Sequence, residues 1–217
     1  MTRIIAGAAR GRRLAVPPGT RTRPTSDRAR EGLFATITAL HGPLAGAGVL
    51  DLYAGSGAVG LEALSRGAAR VLLVEADPVA ARVIRANITA VGLPGARLAT
   101  GRVTAVLGRG AAGPGHGVAG PGRVTEEPGR GDAVPGRGPE PGGPFDVVVA
   151  DPPYAAGAAE ITEMLLALRA GGWLAGGALV AVERASRSGP LDWPAGYVPD
   201  RSRRYGEATF WYGLASG

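Results

Sequence analysis

Two stretches of the chain carry residue types that could do chemistry together. The first is Asp151-Pro152-Pro153-Tyr154, a carboxylate followed by two residues without a backbone N–H and then a flat aromatic ring. Free carbonyl acceptors beside a carboxylate and a stacking surface suit an exocyclic amino group on a planar base. The second is the glycine-rich run Val49-Leu50-Asp51-Leu52-Tyr53-Ala54-Gly55-Ser56-Gly57-Ala58-Val59-Gly60. Gly55 and Gly57 let a ligand approach the main chain, and a helix starting at Ala58 would turn backbone N–H groups and its positive dipole end toward it.

The glycine run alone leaves its ligand open. Gly55-x-Gly57-x-x-Gly60 has the spacing of the dinucleotide fingerprint, and Glu75, with Ala76, falls where an acidic residue binds ribose hydroxyls. A nicotinamide or flavin dinucleotide, S-adenosylmethionine, and a structural turn without ligand all fit that spacing. Asp51 tilts the choice toward the methyl donor, because a carboxylate suits the ammonium of a methionine moiety and is awkward beside a pyrophosphate. For the tetrapeptide, the plain alternative is an Asp-Pro-Pro loop start with a packed tyrosine.

The elements that must position these stretches read as an α/β fold. Runs Arg3 to Gly7 and Arg12 to Val16, separated by Ala8-Ala9-Arg10-Gly11, read as a basic hairpin. Thr25 or Ser26 then caps a helix in which Ala29, Leu33, Phe34, Ile37 and Leu40 recur at helical spacing, ended by Gly42-Pro43. From Val49 onward, short apolar runs alternate with helical stretches, the signature of βαβ units on a parallel sheet. Strands are predicted at 49–53, 71–74, 96–100, 145–150 and 178–183, and helices at 58–66, 78–91 and 160–168. Two β-prone runs, 193–200 and 207–214, flank Ser202-Arg203-Arg204-Tyr205-Gly206 as an antiparallel hairpin at the sheet edge, which makes the sheet mixed. Asp151 therefore sits at the carboxyl end of a strand, the edge where open α/β sheets bind ligands.

Composition narrows the function classes. All 24 basic residues are arginine, and eight of them lie in the first thirty positions against one acid, Asp27, a clustering that suggests a polyanionic partner. Coding bias toward arginine would explain the missing lysine but not that placement. Without cysteine, and with His41 and His116 as the only histidines, no metal centre is expected. No eighteen-residue apolar window and no signal-peptide core are present, so a cytoplasmic location is expected. Residues 108–144 hold thirteen glycines and seven prolines, and read as a disordered insertion. The expected division is 1–43, a basic N-terminal hairpin and helix, and 44–217, the α/β domain carrying that insertion.

Asp151-Pro152-Pro153-Tyr154 resembles the [Asp/Asn]-Pro-Pro-[Tyr/Phe] motif of S-adenosylmethionine-dependent methyltransferases that modify exocyclic nitrogens of nucleobases. Three further motifs extend the likeness: Asp51-Leu52-Tyr53-Ala54-Gly55-Ser56-Gly57, Arg23-Pro24-Thr25-Ser26-Asp27-Arg28-Ala29-Arg30-Glu31, and Arg3-Ile4-Ile5-Ala6-Gly7 with Gly11-Arg12-Arg13-Leu14. Together they resemble the bacterial 16S ribosomal RNA guanine-N2 methyltransferase family, methyltransferase D of the small subunit, over nearly the whole chain.

The resemblance implies a Rossmann-like class I methyltransferase: a mostly parallel seven-stranded sheet with helices on both faces, plus the small N-terminal hairpin and helix. It implies catalysis at Asp151, Pro152, Pro153 and Tyr154, and S-adenosylmethionine contacts from Asp51, Tyr53, Gly55, Ser56, Gly57, Glu75 and Ala76. Thr25, at the helix start, would close over cofactor and RNA. One departure is Arg102, which stands where the family usually offers an Asp or Asn to the adenine amino group. Arginine has no acceptor, so that contact would fall to backbone around Arg102 and Val103. Ribosomal RNA, free or in a small subunit, is the implied partner of a monomer, with Arg10, Arg12, Arg13, Arg23, Arg28, Arg203 and Arg204 gripping phosphates. A DNA adenine-N6 methyltransferase would use the same tetrapeptide. A dinucleotide oxidoreductase and a non-catalytic RNA-binding protein are the rivals from other classes.

Overall fold

The computed structural model describes residues 2–18, 27–111, 143–153 and 155–216. Arg23, Thr25 and Tyr154, the expected cap at Thr25 or Ser26, and positions 112–142 of the Gly/Pro-rich segment lie outside the described residues. Strands β1 (Thr2–Arg3) and β2 (Arg13–Leu14) pair antiparallel as the small hairpin, and α1 (Asp27–His41) follows. The sheet strands are β3 (Gly48–Leu52), β4 (Arg70–Glu75), β5 (Ala96–Thr100), β6 (Phe145–Ala150), β7 (Leu174–Ala185), β8 (Tyr197–Tyr205) and β9 (Ala208–Ala215). Their order is β5-β4-β3-β6-β7-β9-β8; the first five are parallel, and β9 runs antiparallel between β7 and the edge strand β8.

Helices α2 (Ala58–Ser65), α3 (Pro78–Val91), α4 (Val103–Leu107) and α5 (Ala158–Ala170) complete the two outer layers. On one face Leu33 and Phe34 of α1, Leu61 of α2 and Ile84 of α3 pack against Val49, Val71, Val149 and Ala181. On the other, Val106 of α4 and Met164 and Leu168 of α5 pack against Leu50, Leu72, Val148 and Val182. Alternate strand residues point to alternate faces, so Val49, Asp51, Val71, Leu73, Val147, Val149, Leu179 and Ala181 share the face that α1, α2 and α3 cover. Helix α3 has clear end signals: Asp77 accepts from the N–H groups of Val79 (3.0 Å) and Ala80 (3.3 Å), Pro78 opens it, and Gly92 at φ 68° closes it. Among the described residues, no helix is long and apolar enough to cross a membrane.

The basic hairpin is bolted to this body by polar groups. The fully buried Glu62 of α2 accepts the N–H groups of Ile5 (2.7 Å) and Ala6 (2.9 Å) and the Nε of Arg66 (2.8 Å). Ser65 Oγ accepts from Ala9 N (2.9 Å) and donates to Ala6 O (2.5 Å). Asn87 of α3 exchanges two hydrogen bonds with the backbone of Ala15 and donates a third to Ser56 O (2.8 Å), joining the arm to the glycine turn. Buried, each such group would cost about 1–3 kcal/mol if left without its partner.

Three expectations shift. Arg203 and Arg204 do not lie in a turn: β8 runs through Tyr205 and pairs Arg203 with Phe210 and Arg204 with Thr209, the turn falling at Gly206-Glu207. Charge lowers apparent strand propensity, yet an edge strand tolerates it because one side faces water. Helix α4 was not expected, being a single short turn hidden after β5. The Gly/Pro segment begins later than position 108 and ends before 143, because Ala111 N–H donates to Gly171 O (2.8 Å) and Phe145 N–H to Trp173 O (2.8 Å), holding 108–111 and 143–144 to the folded body.

Candidate active site at the carboxyl ends of the strands

Strand register builds the site. Asp51 pairs with Val149 and Leu73, and Val149 with Ala181, so these four residues form one row across the sheet. One turn of the pleat further on, Ala150 pairs with Val182 and Leu52 with Val74, so Tyr53, Glu75, Asp151 and Glu183 follow as the next row at the strand ends. A cleft of about 750 Å³ opens there, lined by Asp51, Tyr53, Gly55, Ser56, Glu75, Ala76, Arg102, Val103, Asp151, Pro152, Pro153 and Glu183, with Val16 and Pro17 of the N-terminal arm on its rim.

In the half formed by β3 and β4, the main chain already holds each carboxylate. Asp51, 3% exposed, accepts the Gly60 N–H at 2.8 Å. Glu75 accepts the N–H groups of Gly55 and Asp77, both at 2.8 Å. Gly60 is required here for closeness: a Cβ would meet Val71 Cγ1 at 2.7 Å and Asp51 Oδ2 at 3.1 Å. Gly57 is required for conformation, with φ 76° at the start of α2. Tyr53 is bent to φ 60°, an unusual state for an aromatic residue that costs about 1–3 kcal/mol and recurs at functional sites. Burial pushes the Asp51 carboxyl up to about 7, opposed by the Gly60 N–H and reinforced by Asp151 and Glu75. The Tyr53 hydroxyl is likewise raised to about 12 by burial and by Glu160.

The half formed by β6 and β7 is arranged differently. Asp151 N–H donates to Leu52 O (3.3 Å), while its carboxylate opens onto the cleft and takes no hydrogen bond or ion pair from another described residue. Asp151 is itself exposed, yet the protein packed around its carboxyl displaces enough water to raise it to about 6. Pro152 is buried beneath it, Pro153 exposed beyond it, and Pro153 O accepts the Ala156 N–H at 2.8 Å. A second, small pocket, bounded by Asp151, Pro152, Pro153 and Glu183, adjoins the main cleft on this side.

The family described as "Conserved hypothetical protein 95" matches residues 2–114 and 133–213. The Ribosomal RNA small subunit methyltransferase D of Escherichia coli K12 is 32% identical over 208 residues, 96% of this chain and 87% of that protein. The chain belongs to the small-subunit ribosomal RNA methyltransferase D family. Two solved structures share its fold over nearly their whole length. One, an Escherichia coli candidate methyltransferase, has a TM-score of 0.74 at 31% identity and covers 99% of this chain and 98% of its own. The other, a Thermus thermophilus hypothetical protein, has a TM-score of 0.69 at 31% identity and covers both chains fully. The family match leaves out 115–132, within the Gly/Pro-rich segment.

For a chain of the methyltransferase D family, the cleft gathers most of the residues the sequence singles out. Asp51, Tyr53, Gly55, Ser56, Glu75, Ala76, Arg102, Val103, Asp151, Pro152 and Pro153 all line it; Gly57 does not, and a Cβ there would meet Leu73 and Ile84. Arg10, Arg13, Arg28, Arg203 and Arg204 are exposed. Arg12 is exposed too, but its guanidinium donates to Ala90 O at 2.9 Å, capping the negative end of α3. Sequence reasoning missed Glu183, Glu160, Phe210 and Arg30 as lining residues. Glu183 had a findable signal, a lone carboxylate ending the apolar run Leu179-Val180-Ala181-Val182. Arg30 had little signal, since besides Asp27 of its own helix (3.0 Å) its partners Thr2 (3.2 Å) and Glu62 (3.8 Å) arrive from β1 and α2. Burial lowers its pKa while Glu62 and Asp27 oppose the shift.

Proposed function

We propose that this chain transfers the methyl group of S-adenosylmethionine to the exocyclic N2 of a guanine in small-subunit (16S) ribosomal RNA. The observation that carries the reading is the meeting, in one cleft, of a cradle whose carboxylates the backbone already holds with a carboxylate left open to a donor. The cradle fits the cofactor chemically. Gly55 leaves backbone room for the methionine part, Asp51 provides a buried anion for its ammonium, and Glu75 retains lone pairs for the ribose hydroxyls. Ala76 and the backbone at Arg102 and Val103 flank the place of the adenine.

When bound, S-adenosylmethionine supplies a methyl carbon already activated by its sulfonium. The chain's task is then to place a nitrogen in line with that carbon. A guanine amino group is a weak nucleophile because its lone pair is shared with the ring. Asp151 and the Pro152 carbonyl, accepting its protons, favour a pyramidal nitrogen. With the methyl carbon supplied by the bound sulfonium, Asp151 would take the surplus proton from nitrogen and pass it to water. A carboxyl raised to about 6 is ionised at neutral pH yet basic enough for this work. Tyr154 would stack on the base swung out of the RNA, offsetting part of an unstacking cost of a few kcal/mol. Exposed arginines of the hairpin and of β8 would grip phosphates without reading sequence. A ribosomal RNA substrate supports a cytoplasmic location.

The test incubates the purified chain with labelled S-adenosylmethionine and small subunits lacking native methylation, then maps the label by mass spectrometry. N2-methylguanine at one position is the expected product. Label on adenine N6, or on DNA in preference to RNA, would overturn the proposal.

A further inference from the structure

We infer that Glu183 reads the target base, accepting the N1–H of guanine while the neighbouring Asp151 accepts from its 2-amino group. This deepens the guanine-N2 reading and rests on it.

The placement comes from the sheet. Val149 pairs with Ala181 and Ala150 with Val182, so Asp151, the first residue after β6, follows beside Glu183 of β7. Both residues line the main cleft and the small pocket next to it. Glu183 is only 6% exposed, and what it exposes lines both the main cleft and the small pocket that Asp151, Pro152 and Pro153 also bound.

The chemistry of the bases then selects among them. Guanine presents two neighbouring donors, N1–H and the 2-amino group, and two adjacent carboxylates match them. Adenine and cytosine each set an amino group beside an unprotonated ring nitrogen. One carboxylate would still accept the amino proton, but the other would face a lone pair. Asp151 alone therefore suits any exocyclic amino group, and the pair with Glu183 suits guanine. Rejection by an unmatched buried polar group is far stronger than rejection by shape alone.

The test uses 2-aminopurine, which keeps the 2-amino group but carries an unprotonated N1. Once the wild-type product has been mapped, ribosomal RNA is ligated with guanine or 2-aminopurine at that position and assembled into subunits. Single-turnover methyl transfer is measured for the wild type and for Glu183→Gln, with S-adenosylmethionine affinity as the check on folding. The wild type should prefer guanine by about 100-fold or more. In Glu183→Gln the side-chain amide can donate to the bare N1, and the preference should shrink to less than about tenfold with cofactor affinity unchanged. Equal wild-type rates on the two bases, or a preference undiminished in Glu183→Gln, would overturn the inference while leaving guanine-N2 transfer standing. If Glu183→Gln fails to fold, the wild-type ratio decides. A wild-type product other than N2-methylguanine would remove the underlying reading and this inference with it.

Discussion

The two halves of the cleft use the same residue type in opposite ways. At the ends of β3 and β4, Asp51 and Glu75 are held by the N–H groups of Gly60, Gly55 and Asp77, all at 2.8 Å. At the end of β6, the Asp151 carboxylate takes no hydrogen bond from another described residue. A carboxylate tied to main-chain N–H groups is fixed in place, suited to binding. A carboxylate that no described residue holds is open to accept a proton from whatever enters. The difference separates binding from transfer between neighbouring strand ends, and substitutions can break it on either side.

The largest effect is expected at the open end. Asp151→Asn should lower single-turnover methyl transfer by about 100- to 1000-fold, with S-adenosylmethionine affinity, read by titration calorimetry, within about twofold of wild type. At the held end, Asp51→Asn should weaken the cofactor by about 10- to 100-fold, the worth of a hydrogen bond to a charged group.

The same pair sharpens the comparison through pH. Asp51 must be ionised to meet the cofactor's ammonium, and its carboxyl stands at about 7, so wild-type affinity should rise between about pH 6 and pH 8 and stay flat in Asp51→Asn. Stability should move the other way. The folded protein holds a proton on Asp51 that the unfolded chain, with an ordinary carboxyl near 3.9, has released. The cofactor-free protein should therefore lose stability as pH rises from about 4 to 7. Urea midpoints across that range should fall less in Asp51→Asn than in wild type.

Smaller effects follow from packing and surface charge. Gly60→Ala sets a methyl against Val71 and Asp51 and should cost about 1–3 kcal/mol in denaturant unfolding. Replacing Arg10, Arg12 and Arg13 with alanine should reduce the log–log salt slope of RNA binding by about 1.4 to 2, at roughly 0.7 per lost phosphate contact. Arg12 contributes least to that change because it caps α3 through Ala90 O.

The contrast also explains what could be read from the chain alone. Asp51 to Gly60 and Asp151 to Tyr154 are local patterns, in which strand, turn and chemistry lie within a dozen residues, so strand ends and most of the cleft lining were legible. Glu183, Arg30 and Asn87 were not, because their roles arise when separate elements converge. Glu183 gains meaning only from its register beside Asp151, and Asn87 only from holding Ala15 and Ser56 together. The C-terminal turn was misplaced because an edge strand can carry arginines that in isolation read as loop.

Single-turnover methyl transfer at saturating S-adenosylmethionine, measured on undermethylated small subunits for wild type, Asp51→Asn and Asp151→Asn, tests the division most directly. The account predicts that saturation restores Asp51→Asn to within about tenfold of wild type and leaves Asp151→Asn about 100-fold or more below it. Equal losses in the two variants at saturation, or full activity in Asp151→Asn, would contradict it.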